Sequence, residues 1–154
     1  MMFKKLCQVA LIAGMLVPVL VAGAAVSGAQ ETKMHRVVIQ VTEDDPGVMN
    51  RALGNAMNAQ EYFAAKGEEL TVEIVTYGPG ITMLRDDISP VKERIAEAKM
   101  SVPNLTLSMC NNSKMGAERR EGKEIPVVSE AQIVPAGIVR VMELQEEGYT
   151  YAKP

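Results

Sequence analysis

The chain has 154 residues, 16 basic against 19 acidic side chains, a formal charge of −3 and no tryptophan. With neither a basic stripe nor an aromatic cluster, it excludes a nucleic-acid-binding surface. Its length and 47% hydrophobic content suit one domain with its own core.

Lys4 and Lys5 precede an almost wholly apolar run, Leu6 to Val26, and the small residues Ser27-Gly28-Ala29 follow. This pattern predicts a signal peptide over 1–29, cleavage after Ala29, and a periplasmic or secreted product without membrane attachment. A retained anchor is the alternative, since about 20 apolar residues can span a bilayer. Gly14, Pro18 and the small-residue exit favour cleavage. Residues 30–154 then form a single α/β domain. Losing Lys4 and Lys5 makes it more acidic, and losing Cys7 leaves Cys110 as its one thiol.

The mature part alternates strand-like and helix-like segments, which predicts an α/β layer fold with a mostly parallel sheet. Arg36 to Thr42 reads as a strand covered on both faces. Asp45-Pro46 caps a helix running to about Lys66, with Met49, Ala52, Leu53, Ala56 and Phe63 on its inner face. Arg51, Asn55, Asn58 and Tyr62 lie opposite, as a solvated face or a subunit contact. Leu70 to Tyr77 is the second strand, and Gly78-Pro79-Gly80 a turn. Ser89-Pro90 opens a second helix carrying Val91, Ile95 and Ala98. The third strand ends at Cys110, and a polar helix from about Ser113 to Glu121 follows. Ile133-Val134 is a short strand, Pro135 opens the last helix, and Tyr149 to Tyr151 adds a final strand.

In open parallel sheets ligands bind beyond the carboxyl ends of the strands. Thr42 to Asp45, Gly78 to Gly80, Cys110 to Ser113 and Pro135 to Gly137 should meet there. A thiol at that rim feels a helix N-terminus, and Lys114, Arg119 and Arg120 add positive field if turned towards it; both favour thiolate. A buried, inert cysteine is the competing reading. A catalytic pair with His35, carboxylate pairs at Asp44-Asp45 and Asp86-Asp87, and a methionine-rich copper site near Met109 and Met115 are weaker readings of the same residues.

Five segments in order carry a resemblance: Ala52-Leu53-Gly54-Asn55-Ala56-Met57-Asn58, Tyr77-Gly78-Pro79-Gly80, Met109-Cys110-Asn111-Asn112-Ser113, Ile133-Val134-Pro135-Ala136-Gly137 and the ending Glu143 to Pro154. Together they resemble the DsrE/DsrF-like proteins of sulfur metabolism, over roughly His35 to Pro154. The resemblance implies a three-layer α/β/α fold with about five strands, commonly assembled as a homo-oligomer. It implies catalysis by Cys110 as a persulfide carrier between a protein sulfur donor and a protein acceptor, with no metal or organic cofactor. Asn111, Asn112, Gly78, Pro79, Gly80 and Pro135 are then candidate walls of the pocket. The chain departs from the family pattern in Asn111-Asn112-Ser113, where Gly-Asn-Thr is frequent, and in Tyr77, where histidine is frequent. The alternative from another class is a non-catalytic oligomeric binding or scaffold protein in which Cys110 is structural.

Overall fold

The structure, a computed structural model, describes residues 33–154. The expected signal segment 1–29, its cleavage after Ala29 and Cys7 lie outside the described residues.

The elements are β1 (Met34–Val41), α1 (Pro46–Ala64), β2 (Glu69–Thr76), a 3-10 helix (Gly78–Leu84), α2 (Lys92–Ser101), β3 (Leu105–Cys110), α3 (Asn111–Glu121), β4 (Ala131–Val134), α4 (Gly137–Glu146) and β5 (Thr150–Ala152). The strands lie in the order β4-β3-β2-β1-β5, and every neighbouring pair is parallel.

That order explains the layers. Crossovers between parallel strands are right-handed in nearly all proteins. The steps from β1 to β4 all move one way along the sheet, so the helices between them fall on one face. The return from β4 to β5 moves the other way and sets α4 on the opposite face. The result is a three-layer α/β/α arrangement, as the resemblance implies, with the parallel sheet that the alternating elements predict.

On the first face Ile39, Val41, Val72, Ile74, Leu107 and Met109 meet Met49, Leu53 and Ile95 in one apolar core. On the second, only Val38, Val75, Val141 and Leu144 form an apolar cluster, with Tyr77 and Tyr149 against it.

Local chemistry sets most boundaries. Asp45 accepts from the Gly47 and Val48 N–H groups at 2.6 and 3.1 Å, and Pro46 opens α1 as expected. Three helix starts differ from expectation. Ser89 is engaged elsewhere, donating to the Met83 carbonyl and accepting from the Val91 N–H, so α2 begins at Lys92. Cys110 itself is the N-cap of α3, which starts at Asn111 rather than near Ser113. Pro135 lies outside α4, because Ala136 is extended and caps the helix from there. The turn at Gly78-Pro79-Gly80 is the opening of the 3-10 helix.

Candidate functional site

Strand alternation sends Met109 into the first core and Cys110 towards the α4 side of the sheet. Cys110 pairs with Val134 across β3 and β4. These adjacent strands hand the chain to opposite faces, α3 on one and α4 on the other. Such a divergence is the topological switch point at which open α/β sheets form their binding crevice. Cys110 is a free thiol, 4% exposed.

Burial pushes the Cys110 thiol up, but the Ser113 hydroxyl and the N–H groups of Gly137, Ser113 and Asn112 pull it down, and the net direction is below its ordinary value. Cys110 has no formed side-chain capping bond, so these groups act on the sulfur as dipoles. Ser113 Oγ accepts the Gly78 N–H at 2.8 Å, which leaves the hydroxyl proton free to turn to the sulfur. The Gly80 N–H in turn donates to the Thr42 carbonyl at 3.0 Å. Three of the four loops expected at the rim are thus joined there by hydrogen bonds, and the fourth packs its Gly137 on Tyr77.

Two glycines make this closeness possible. A Cβ on Gly80 would stand 2.4 Å from the Val41 carbonyl oxygen, so only glycine allows the 3-10 helix to lie on the end of β1. A Cβ on Gly137 would stand 2.8 Å from Tyr77 Cβ and Cδ1. Tyr77 thus seats the first turn of α4 beside the thiol. Burial, with the Tyr151 phenol, pushes the Tyr77 phenol up, and Cys110 and Glu43 add to the rise while Lys153 opposes it.

The expected positive field is only partly in place. Lys114 is tied to Glu118. Arg119 sits in the last turn of α3, nine residues and roughly 13 Å along the axis from Cys110. Arg120 folds back over Gly116 and lines a cleft of about 570 Å³ with Asn112, Ser113, Gly78 and Pro79. Pro135 lines a different depression, of about 450 Å³, with Ile133, Val139 and Arg140. Neither cavity is lined by Cys110 or by the buried Gly80, so the candidate pocket residues divide between the two sides of the sulfur. Asn111 donates to Met115 Sδ at 3.4 Å, so its side chain faces along α3.

The weaker readings fall apart spatially. His35 starts β1, at the opposite end of the parallel sheet from Cys110, bonded to Glu68 at 2.7 Å and stacked on Phe63. Asp45 caps α1, Asp86 pairs with Lys92, and Asp87 with Arg85 and Lys123, so neither Asp-Asp step is a carboxylate couple. Met109 and Cys110 lie on opposite faces of the sheet. Among the described residues no three His, Cys, Asp or Glu side chains gather to hold a metal ion.

Sequence reasoning missed a polar network on the thiol's side of the sheet. Glu73, 3% exposed on the central strand β2, accepts from Arg140 Nε and from a terminal nitrogen of its guanidinium at 2.9 and 2.8 Å, and from Ser108 Oγ at 2.7 Å. Gln132 donates to Ser108 Oγ at 3.1 Å. The signal was present as one carboxylate inside the apolar run Val72-Glu73-Ile74-Val75 and one arginine in the buried stripe of α4.

No family model matches the chain, and no curated protein matches it significantly. Among solved structures it is similar to MTH1491, a protein of unknown function from Methanobacterium thermoautotrophicum. The two share 25% identity at a TM-score of 0.64, over 78% of this chain and 99% of the other. The likeness supports the α/β architecture and assigns no chemistry.

Proposed function

We propose that this is an exported DsrE-like protein whose Cys110 thiolate accepts and passes on sulfane sulfur. One observation carries the reading: a free thiol at the β3/β4 switch point, at the N-cap of α3, where the Ser113 hydroxyl and nearby backbone N–H groups favour its thiolate against burial. The order of motifs from Ala52 to Pro154 supports the family, and the apolar segment ahead of Gln30 supports export.

The chemistry balances without a cofactor. The Cys110 thiolate attacks the outer sulfur of a donor persulfide; the donor S–S bond breaks as the new one forms, and the donor leaves as a thiolate. An acceptor thiolate then takes the outer sulfur and restores the Cys110 thiolate, with no net oxidation. Rate follows thiolate fraction and access. At 4% exposure, access requires the rim to open locally. The test is cyanolysable sulfur on the protein after treatment with polysulfide, and its discharge by a small thiol. Wild type should load and discharge, and Cys110→Ser should do neither; equal loading of both sinks the reading.

A second reading, an oligomeric binding or scaffold protein with a structural Cys110, is favoured by one feature. Ile133, Ile138, Val139 and Met142 are each about half exposed along β4 and α4, with Ile133 and Val139 lining one depression. Surface of this kind suits a second copy of the chain. Sedimentation would read it directly: a monomer at micromolar concentration counts against it, and a stable oligomer that carries no sulfur supports it over the first.

A further inference from the structure

We propose that the Glu73–Arg140 ion pair is a positioning device for Cys110, fixing on the sheet the first turn of α4, which starts three residues past the Val134 that pairs with Cys110, so that this helix start stays beside the sulfur. This builds on the reading of Cys110 as a working thiol and extends it to a pair that never touches the sulfur.

The sheet-facing stripe of α4 is Gly137, Arg140, Val141 and Leu144, spaced i, i+3, i+4, i+7. Apolar side chains at 73 and 140 together would be about as stable, because a buried ion pair rarely outperforms hydrophobic residues of similar size. What the pair adds is register. A guanidinium donating two bonds to one carboxylate fixes direction as well as distance, which neither an apolar contact nor a lysine does. Glu73 is itself held by Ser108, which lies two residues before Cys110 on the same face of β3, and Ser108 accepts from Gln132 on β4. The network therefore ties α4 to β2, β3 and β4 at once, one helical turn from Gly137. The Gly137 backbone already meets Tyr77 where a Cβ would clash, so a small shift of α4 changes the distance from this helix start to the sulfur.

Other charges around the thiol are already engaged. Beyond β1 and β5, Glu43 and Lys153 pair at 2.9 Å; on α3, Lys114 is tied to Glu118; on α4, Arg140 also meets Glu143 and Glu147. Tyr77, beyond β2, is a titratable neighbour whose phenol is pushed up by burial first and by Tyr151 of β5, whose own hydroxyl donates to Gln40. Arg120 lines the cleft on the far side, beside Asn112 and Ser113.

The test is the pH profile of Cys110 alkylation by iodoacetamide in purified wild type, Arg140→Lys, and the double variant Glu73→Gln/Arg140→Gln. The midpoint reads thiolate stabilisation and the high-pH plateau reads access. In both variants the midpoint should move upward, with the fraction of the plateau rate reached at neutral pH falling about three- to tenfold. Arg140→Lys keeps a cation opposite Glu73, so it carries the test if the double variant does not fold. An unmoved midpoint in a folded variant overturns the proposal, as does a change confined to the plateau. A wild-type midpoint in Arg140→Lys with a shifted one in the double variant also overturns it, because the charge alone would then suffice. Sulfur loading measured alongside separates the two claims. A shifted midpoint in a protein that loads no sulfur sinks the sulfur reading alone, and loading with unmoved midpoints sinks the positioning role alone.

Discussion

The two faces of the sheet are built from different materials. Under α1 and α2 the strands present Ile39, Val41, Val72, Ile74, Leu105, Leu107 and Met109, all buried and apolar. Under α4 the same strands present Val38, Glu73, Val75, Ser108 and Cys110 to a helix whose inner stripe includes an arginine. Burial of apolar area is the main favourable term in folding, so the first face supplies most of the stability. The second holds its groups by directional bonds, which fix position more than they add stability. The thiol lies on the second.

Substitutions on each face sharpen this contrast. The largest expected loss is on the first: Leu53→Ala, at a fully buried site, should cost about 2–5 kcal/mol in urea unfolding. Its Cys110 alkylation midpoint should stay in place. On the second face Arg140→Met alone should cost about 3 kcal/mol, because it strands a buried Glu73. Glu73→Leu/Arg140→Met should return to within about 1 kcal/mol of wild type while the alkylation midpoint stays displaced. A double variant as unstable as the single would show that the pair is there for stability and collapse the contrast.

Smaller effects lie at the edges. Asp45→Ala removes the cap on α1 and should cost about 1 kcal/mol, again without moving the thiol. Acid should weaken the whole domain through its paired carboxylates. Lys153, first among several partners, lowers Glu43 to about 2 from the usual 4.5; Arg85 holds Asp87 and Glu121 below theirs. A carboxylate depressed in the folded state stabilises above its unfolded value, and that contribution is lost as protons return. The urea midpoint should therefore fall as pH drops from 4.5 towards 2, and Arg85→Met should flatten the decline. A midpoint flat over that range would mean these pairs contribute little.

What was legible in the sequence was local. Apolar runs marked the strands, and Asp45-Pro46 marked the start of α1. The placement of Cys110 at a strand end beside a helix start was legible too, because both signals sit within a few residues of it. What escaped notice depended on contacts between distant segments. Glu73 and Arg140 are 67 positions apart, and each alone reads as an ordinary polar residue. Nothing next to Gly137 announces Tyr77 against it, and nothing next to Gly80 announces the Val41 carbonyl. Pro135 suggested a helix start two residues early, since proline suits several positions around a first turn. The depth of Cys110 was likewise set by α4 arriving from the far side of the sheet.

The central claim is that Cys110 carries sulfur, and intact-mass spectrometry of wild type and Cys110→Ser after exposure to a sulfane-sulfur donor tests it most directly. Wild type should gain one sulfur atom, reversed by a reducing thiol and absent from the variant. No gain on wild type, or an equal gain on both proteins, would contradict it.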